Sequence, residues 1–189
     1  EGTKILVSEL GMSFEGEMER LSKAVRPNLC VITNIGTSHI GQLGSKENIL
    51  REKMMIAKFM KSGGRIIMNG DDPLLWSQKE KDPSILYYGI ENTSCDIIAE
   101  NVNVKNGATY FTAKVGEKSY DVKINTLGRH NVLNSLAAFG VGSVMQLVLD
   151  SIAKGLENFQ NEGNRLNIYE KNGITVISDC YNASPESMK

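Results

Sequence analysis

The chain has 189 residues, 41% of them apolar and 23% charged, with a formal net charge of −1. That is ample apolar material for the core of one large domain or two small ones, while a near-neutral charge without a basic run excludes a general nucleic-acid surface. No apolar stretch is long enough to span a membrane, and Cys30, Cys95 and Cys180 are too scattered for a disulfide framework or a zinc site, so a reduced, cytoplasmic protein is expected.

Lys4–Ser8 (KILVS) predicts a strand, with Glu9 at its carboxyl end before Gly11. A carboxylate there is either a cap partner or a ligand for a hard cation. A helix is predicted over Glu15–Ala24, where Met18, Leu21 and Val25 recur at helical spacing, and Arg26-Pro27-Asn28 breaks it. Leu29–Ile32 is short, apolar and β-branched, as a buried strand should be, and leads through Thr33 into a polar stretch holding Asn34 and His39. Ser45 has N-cap chemistry for a helix carrying Leu50, Lys53, Met54, Met55 and Phe59, which is expected to run to the Ser62-Gly63-Gly64 turn. Arg65–Asn69 predicts a third strand ending in Gly70, Asp71 and Asp72, and Pro73 suits the first turn of a short helix with Leu74, Leu75 and Trp76. Ser84–Gly89 predicts a fourth strand.

The periodicity then changes. Cys95–Asn125 alternates rather than repeating every third or fourth residue, with turns at Asn106-Gly107 and Gly116-Glu117, which predicts an antiparallel meander appended to an otherwise parallel sheet. Gly128-Arg129-His130-Asn131 opens a long helix, and Asp150 is expected to cap another ending near Phe159. Ile168–Glu170 and Ile174–Ser178 predict two more strands around Asn172-Gly173, followed by Asp179. The fold class is therefore α/β: a mainly parallel sheet flanked by helices, with a small antiparallel meander.

Glu9, Asn34, Asn69 with Asp71, and Asp179 each follow a different predicted strand. Parallel strands would gather them at one carboxyl rim, where open α/β sheets bind ligands. Carboxylates and amides there suit a magnesium–nucleotide site, because Mg²⁺ takes a few hard oxygen ligands together with phosphates. Ordinary turn chemistry is the alternative, and Asp71-Asp72-Pro73 reads as N-capping. A lone loop histidine and a helical lysine are, taken singly, more often solvated polar residues than ligands.

Six segments resemble the central domain of the Mur ligases, the ATP-dependent amide-bond-forming enzymes of peptidoglycan synthesis: VSELGMSFEGEMERLS, ITNIGTSHIGQLGSKENILREK, IIMNGDD, LGRHNVLNSLAA, GNRL and ISDCYNASPESM. They run in family order over nearly the whole chain. The YNASP-type segment after Asp179 is similar to the branch that adds D-alanyl-D-alanine to UDP-MurNAc-tripeptide. Other Mur-type or folylpolyglutamate-type ligases, and a non-catalytic nucleotide-binding domain of the same fold, are the alternatives.

The resemblance implies roles for single residues. Glu9 and His39 match positions that hold Mg²⁺ near the γ-phosphate of ATP, and Lys53 matches a lysine that is carbamylated in the family, which gives it an anionic oxygen group to complete the metal set with Glu9 and His39. Asn131 and Asn134 match adenine contacts, Arg165 a phosphate-facing arginine, Asp179 a ribose contact, and Asn34 a polar residue beside the phosphates. His39, Lys53 and Arg165 are the expected catalytic set, and no cysteine is assigned as a nucleophile. The family's phosphate loop, G-[ST]-x-G-K-[ST], does not occur in the sequence. Both ends read as cut, so residues 1–189 are expected to be part of a central domain, with the phosphate-loop segment and the N- and C-terminal domains lying outside it.

Overall fold

Three short apolar runs form the centre of the molecule: Leu29–Ile32 (β1), Arg65–Asn69 (β2) and Leu86–Gly89 (β3). They pair in parallel, with Leu29 opposite Arg65 and Met68 opposite Tyr87. The computed structural model describes residues 2–160 and 167–180. The predicted meander is present as Ile97–Lys105 (β4), Ala108–Val115 (β5) and Lys118–Ile124 (β6), antiparallel to one another. It continues the same sheet, giving six strands in the order β1-β2-β3-β4-β5-β6. β4 pairs in parallel with β3 only through Tyr88–Ile97 and Gly89–Ile98. The end of β3 therefore meets the start of β4, and the short 90–96 loop need not cross the sheet.

Strand alternation sends side chains to two cores. Ile66, Met68 and Tyr87 pack with residues of Glu17–Val25 (α1), Ile40–Leu43 (α2), Lys46–Met54 (α3) and Pro73–Trp76 (α4). Ile67 and Tyr88 face the other way, joining Ile97, Phe111 and Val122 beneath Arg129–Val144 (α5) and Leu149–Glu157 (α6). Ile67, Met68, Leu75, Tyr87, Leu136 and Phe139 have no accessible surface. Each such side chain contributes about 1.5–3 kcal/mol by burial.

Three local expectations change, and one predicted pair of strands stands apart from the main sheet. Residues 3–10 join no ladder among the described residues, and Ile5, Leu6 and Val7 are 60%, 78% and 89% exposed, so Lys4–Ser8 is not a strand here. β-propensity supplies neither the partner for backbone N–H and C=O groups nor the cover that a strand requires. The α3 helix stops at Met54, where a 3-10 turn over Met55–Ala57 replaces it well before Ser62. Val148 is the N-cap of α6, without a side-chain bond, and Asp150 lies inside the first turn. Asn167–Lys171 (β7) and Ile174–Ser178 (β8) form a separate antiparallel hairpin around Asn172-Gly173. No helix among the described residues is long and apolar enough to cross a membrane.

Candidate active site

The carboxyl edge of β1 and β2 carries the densest polar geometry. Beyond β1, the N–H of Ile35 donates to Asp72 Oδ2 at 2.6 Å. The other oxygen, Asp72 Oδ1, accepts from Leu74 and Leu75 at 3.0 and 3.1 Å and so caps α4, whose first residue is Pro73. From α3, itself capped by Ser45 accepting from the Asn48 N–H, Lys53 Nζ reaches back to the carbonyl of Asn34 at 2.7 Å. Burial pushes the Lys53 pKa below the usual lysine value of 10.5, and the charge of Asp72 opposes that shift.

His39 has a left-handed backbone (φ 62°), stands at the N-cap of α2 and is exposed. Glu9 is also exposed, on the irregular 3–10 segment. A cleft of about 1140 Å³ runs along β1, and Glu9, Asn34, His39 and Lys53 all line it, with Val141 and Val144 of α5 on another part of its wall. The structure thus brings four of the sequence-predicted residues to one cavity. Among the described residues no three His, Cys, Asp or Glu side chains are grouped closely enough to hold a metal by themselves. Glu9 brings a carboxylate to the cleft, and that fits an ion such as Mg²⁺, which keeps several waters and takes phosphate oxygens for its remaining positions.

The second half of the rim lies at the start of α5. Asp71, whose side chain is only 10% exposed, accepts backbone N–H groups from Ile90 (2.9 Å), Glu91 (3.0 Å) and Asn92 (2.9 Å). Arg129, the first residue of α5, donates to Asp71 Oδ2 at 3.0 Å and also pairs with Glu91. Asn131 donates its amide hydrogens to Leu127 O (2.8 Å) and Thr126 Oγ1 (3.0 Å), which closes the turn before the helix. Asn134 is exposed nearly one turn further on.

Sequence reasoning took Asp71 and Asp72 together as caps. Only Asp72 caps a helix; Asp71 ties the 90–92 loop to α5, and Arg129 and Glu91 were missed. A second acid directly before a capping Asp-Pro was the available signal, but its partners lie 19 to 58 positions away. The expected common rim holds for Asn34, Asn69 and Asp71. It does not extend to Asp179, which is exposed and follows a strand of the separate hairpin, because an antiparallel pair outside the main sheet shares no carboxyl edge with it. Arg165 lies outside the described residues. Burial lifts the Cys30 and Cys95 thiols to about 11 and about 12, so both stay protonated and poorly nucleophilic at neutral pH.

The family profile described as "Mur ligase middle domain" matches residues 1–142. The chain belongs to the Mur ligase family. This Mur ligase middle domain is 38% identical over 190 residues to the UDP-N-acetylmuramoyl-tripeptide–D-alanyl-D-alanine ligase of Bacillus subtilis, covering 100% of the chain and 40% of the relative. The Escherichia coli ligase of the same name is 30% identical over 185 residues, covering 96% of the chain and 41% of the relative. Among solved structures, MurF from Acinetobacter baumannii superposes with a TM-score of 0.87 at 32% identity, over 95% of this chain and 39% of that one. MurF from Thermotoga maritima in complex with ADP superposes at 0.81 with 26% identity, over 93% of this chain and 40% of that one. The middle domain spans about two fifths of the length of the relatives it matches.

Proposed function

We propose that this chain is the central part of an ATP-dependent ligase that joins D-alanyl-D-alanine to UDP-MurNAc-tripeptide through an acyl phosphate. The observation that carries the reading is one cleft along β1 whose lining includes Glu9, Asn34, His39 and Lys53. The names of the most similar relatives supply the substrates. The ADP bound to a MurF neighbour supports a nucleotide in this fold. Separate regions of the longer polypeptide would hold the uridine nucleotide and the incoming dipeptide, in the cytoplasm where ATP is supplied.

The chemistry asked of this chain is positioning and charge compensation. The substrate carboxylate attacks the γ-phosphorus and ADP leaves; the dipeptide amine then attacks the acyl carbon and phosphate leaves. When bound, Mg²⁺ would offset the charge that builds as two anions approach. Glu9 and His39 would hold it, and Arg165 would add a second positive charge at the phosphates. Lys53 reaches a neutral state more readily than an exposed lysine, because burial disfavours its ammonium form. A neutral amine is the form that adds CO₂, and the resulting carbamate would turn a cation into an anionic oxygen donor. Asn131 and Asn134 are assigned to adenine and Asp179 to ribose.

The test is a phosphate-release assay on a polypeptide of the relatives' full length. Release of ADP and phosphate should require UDP-MurNAc-tripeptide and D-alanyl-D-alanine together, and Lys53→Ala should abolish most of it. In the presence of ¹³C-bicarbonate, the wild type should show a carbamate carbon resonance that Lys53→Ala lacks. Turnover with another amino-acid or glutamate acceptor would move the protein to a sibling ligase class. ATP binding without turnover under any acceptor would leave a non-catalytic nucleotide-binding domain.

A further inference from the structure

Asp71 and Asp72 are neighbours in sequence, yet their carboxylates serve different parts of the fold. Asp72 Oδ2 accepts the N–H of Ile35, while Lys53 Nζ donates to the C=O of Asn34. These two groups belong to one peptide unit, whose N–H and C=O point in opposite directions. The 34–35 peptide is therefore held between the Asp72 carboxylate, which accepts its N–H, and the Lys53 nitrogen, which donates to its C=O, at 2.6 and 2.7 Å. Asp72 fixes the plane of that peptide, and the peptide in turn fixes the acceptor that holds Lys53.

Asp71 works in the other direction. The successive N–H groups of residues 90–92 wrap its carboxylate, forming a backbone nest of the kind that binds anions, here filled from within the chain. Arg129 adds a charge-assisted bond from the first residue of α5, two positions before Asn131. Gly89 lies against this carboxylate: a Cβ there would stand 2.6 Å from Asp71 Oδ1.

We infer that Asp71 and Asp72 are positioning residues for opposite halves of the nucleotide site: Asp72, through the 34–35 peptide, sets Lys53 at the phosphoryl-transfer end, and Asp71, through Arg129, sets the Asn131 end of α5 where the base is held. The inference rests on the assignment of Lys53 and Asn131 under Proposed function. Neither aspartate needs to touch substrate. Both use two oxygens as acceptors, so replacing either by Asn turns one acceptor into a donor facing an N–H.

Steady-state kinetics on the full-length ligase, with ATP varied and the other substrates saturating, tests this. Asp72→Asn should lower kcat at least about tenfold and leave KM for ATP within about twofold, because misplacing a transition-state group acts on kcat. Asp71→Asn should raise KM for ATP about tenfold with kcat within about threefold, as loss of uniform binding does. Arg129→Ala should repeat the Asp71→Asn pattern and Arg129→Lys should partly restore it. Asp72→Ser, which keeps the helix cap but removes the second oxygen, should repeat the Asp72→Asn pattern. The Arg129 variants and Asp72→Ser carry the two arms if an Asn variant fails to fold. Equal movement of kcat and KM in all variants, as general loosening would produce, overturns the proposal, and so does the absence of any change. A wild-type enzyme without ATP turnover would overturn the functional reading as well, whereas turnover without the split overturns this inference alone.

Discussion

Gly89→Ala should destabilise the fold far more than a methyl group in a strand normally does. The new Cβ would lie 2.6 Å from Asp71 Oδ1 and 3.1 Å from Cys95 Sγ. Asp71 cannot retreat without giving up the bonds that this oxygen accepts from Glu91 at 3.0 Å and Asn92 at 2.9 Å. Hydrogen bonds to an ionised group contribute about 1.5–3 kcal/mol each, so two of them set a ceiling of about 3–6 kcal/mol. Glu91 is exposed, so water replaces part of that loss, and about half the ceiling is expected to remain. The smaller unfolded-state entropy of alanine returns about 0.4–1 kcal/mol. The net expectation is a loss of about 1.5 kcal/mol, read from urea unfolding followed by the fluorescence of Trp76, the single tryptophan. In a double-mutant cycle, Gly89→Ala should cost little once Asp71 is already Ala, because the carboxylate that the new Cβ would meet, and the bonds it accepts, are gone. A single-mutant loss under about 0.5 kcal/mol, or full additivity in the cycle, would refute the argument that Gly89 is small to admit the carboxylate.

Other outcomes follow from the same geometry. Gly155 lies in α6 with nothing within 4 Å of an added Cβ, so Gly155→Ala should raise stability by up to about 1 kcal/mol in the same urea assay. Glu17 accepts the N–H groups of Ser13 and Phe14, which lower its pKa below the usual 4.5. A carboxylate depressed by folding contributes stability above its unfolded pKa and loses it as pH falls through the folded value. Urea midpoints measured from neutral pH down through the region below 4.5 should therefore fall less steeply in Glu17→Gln than in the wild type. Iodoacetamide at neutral pH should label the exposed Cys180 and spare Cys30 and Cys95, whose thiols burial holds at about 11 and about 12; peptide mass mapping reads this directly, and denaturant should make all of them reactive. Lys53→Met should lose the bond to Asn34 and slow turnover in the full-length enzyme, yet cost little stability, because the half-buried ammonium it removes is already disfavoured by desolvation.

What the sequence determined by itself was whatever depends on close neighbours. Ser45 and Asp72 cap helices, Pro73 opens one, and Asn106-Gly107 and Asn172-Gly173 turn hairpins, because a cap or a tight turn is decided within about four residues. The apolar runs of β1 to β3 were legible for the same reason, and the motif residues Glu9, Asn34, His39 and Lys53 could be picked out before any cleft was known. The tertiary structure alone decided which of these signals found partners. Lys4–Ser8 has the composition of a strand, but pairing depends on a neighbour that composition cannot supply, and its apolar side chains stand in solvent. Asp71 and Asp72 carry the same local signal, yet one carboxylate reaches the 90–92 loop and α5 while the other reaches the 34–35 peptide. Those choices are made by the parallel pairing of β1, β2 and β3, which brings the ends of distant segments to one edge where each carboxylate takes the N–H groups within reach.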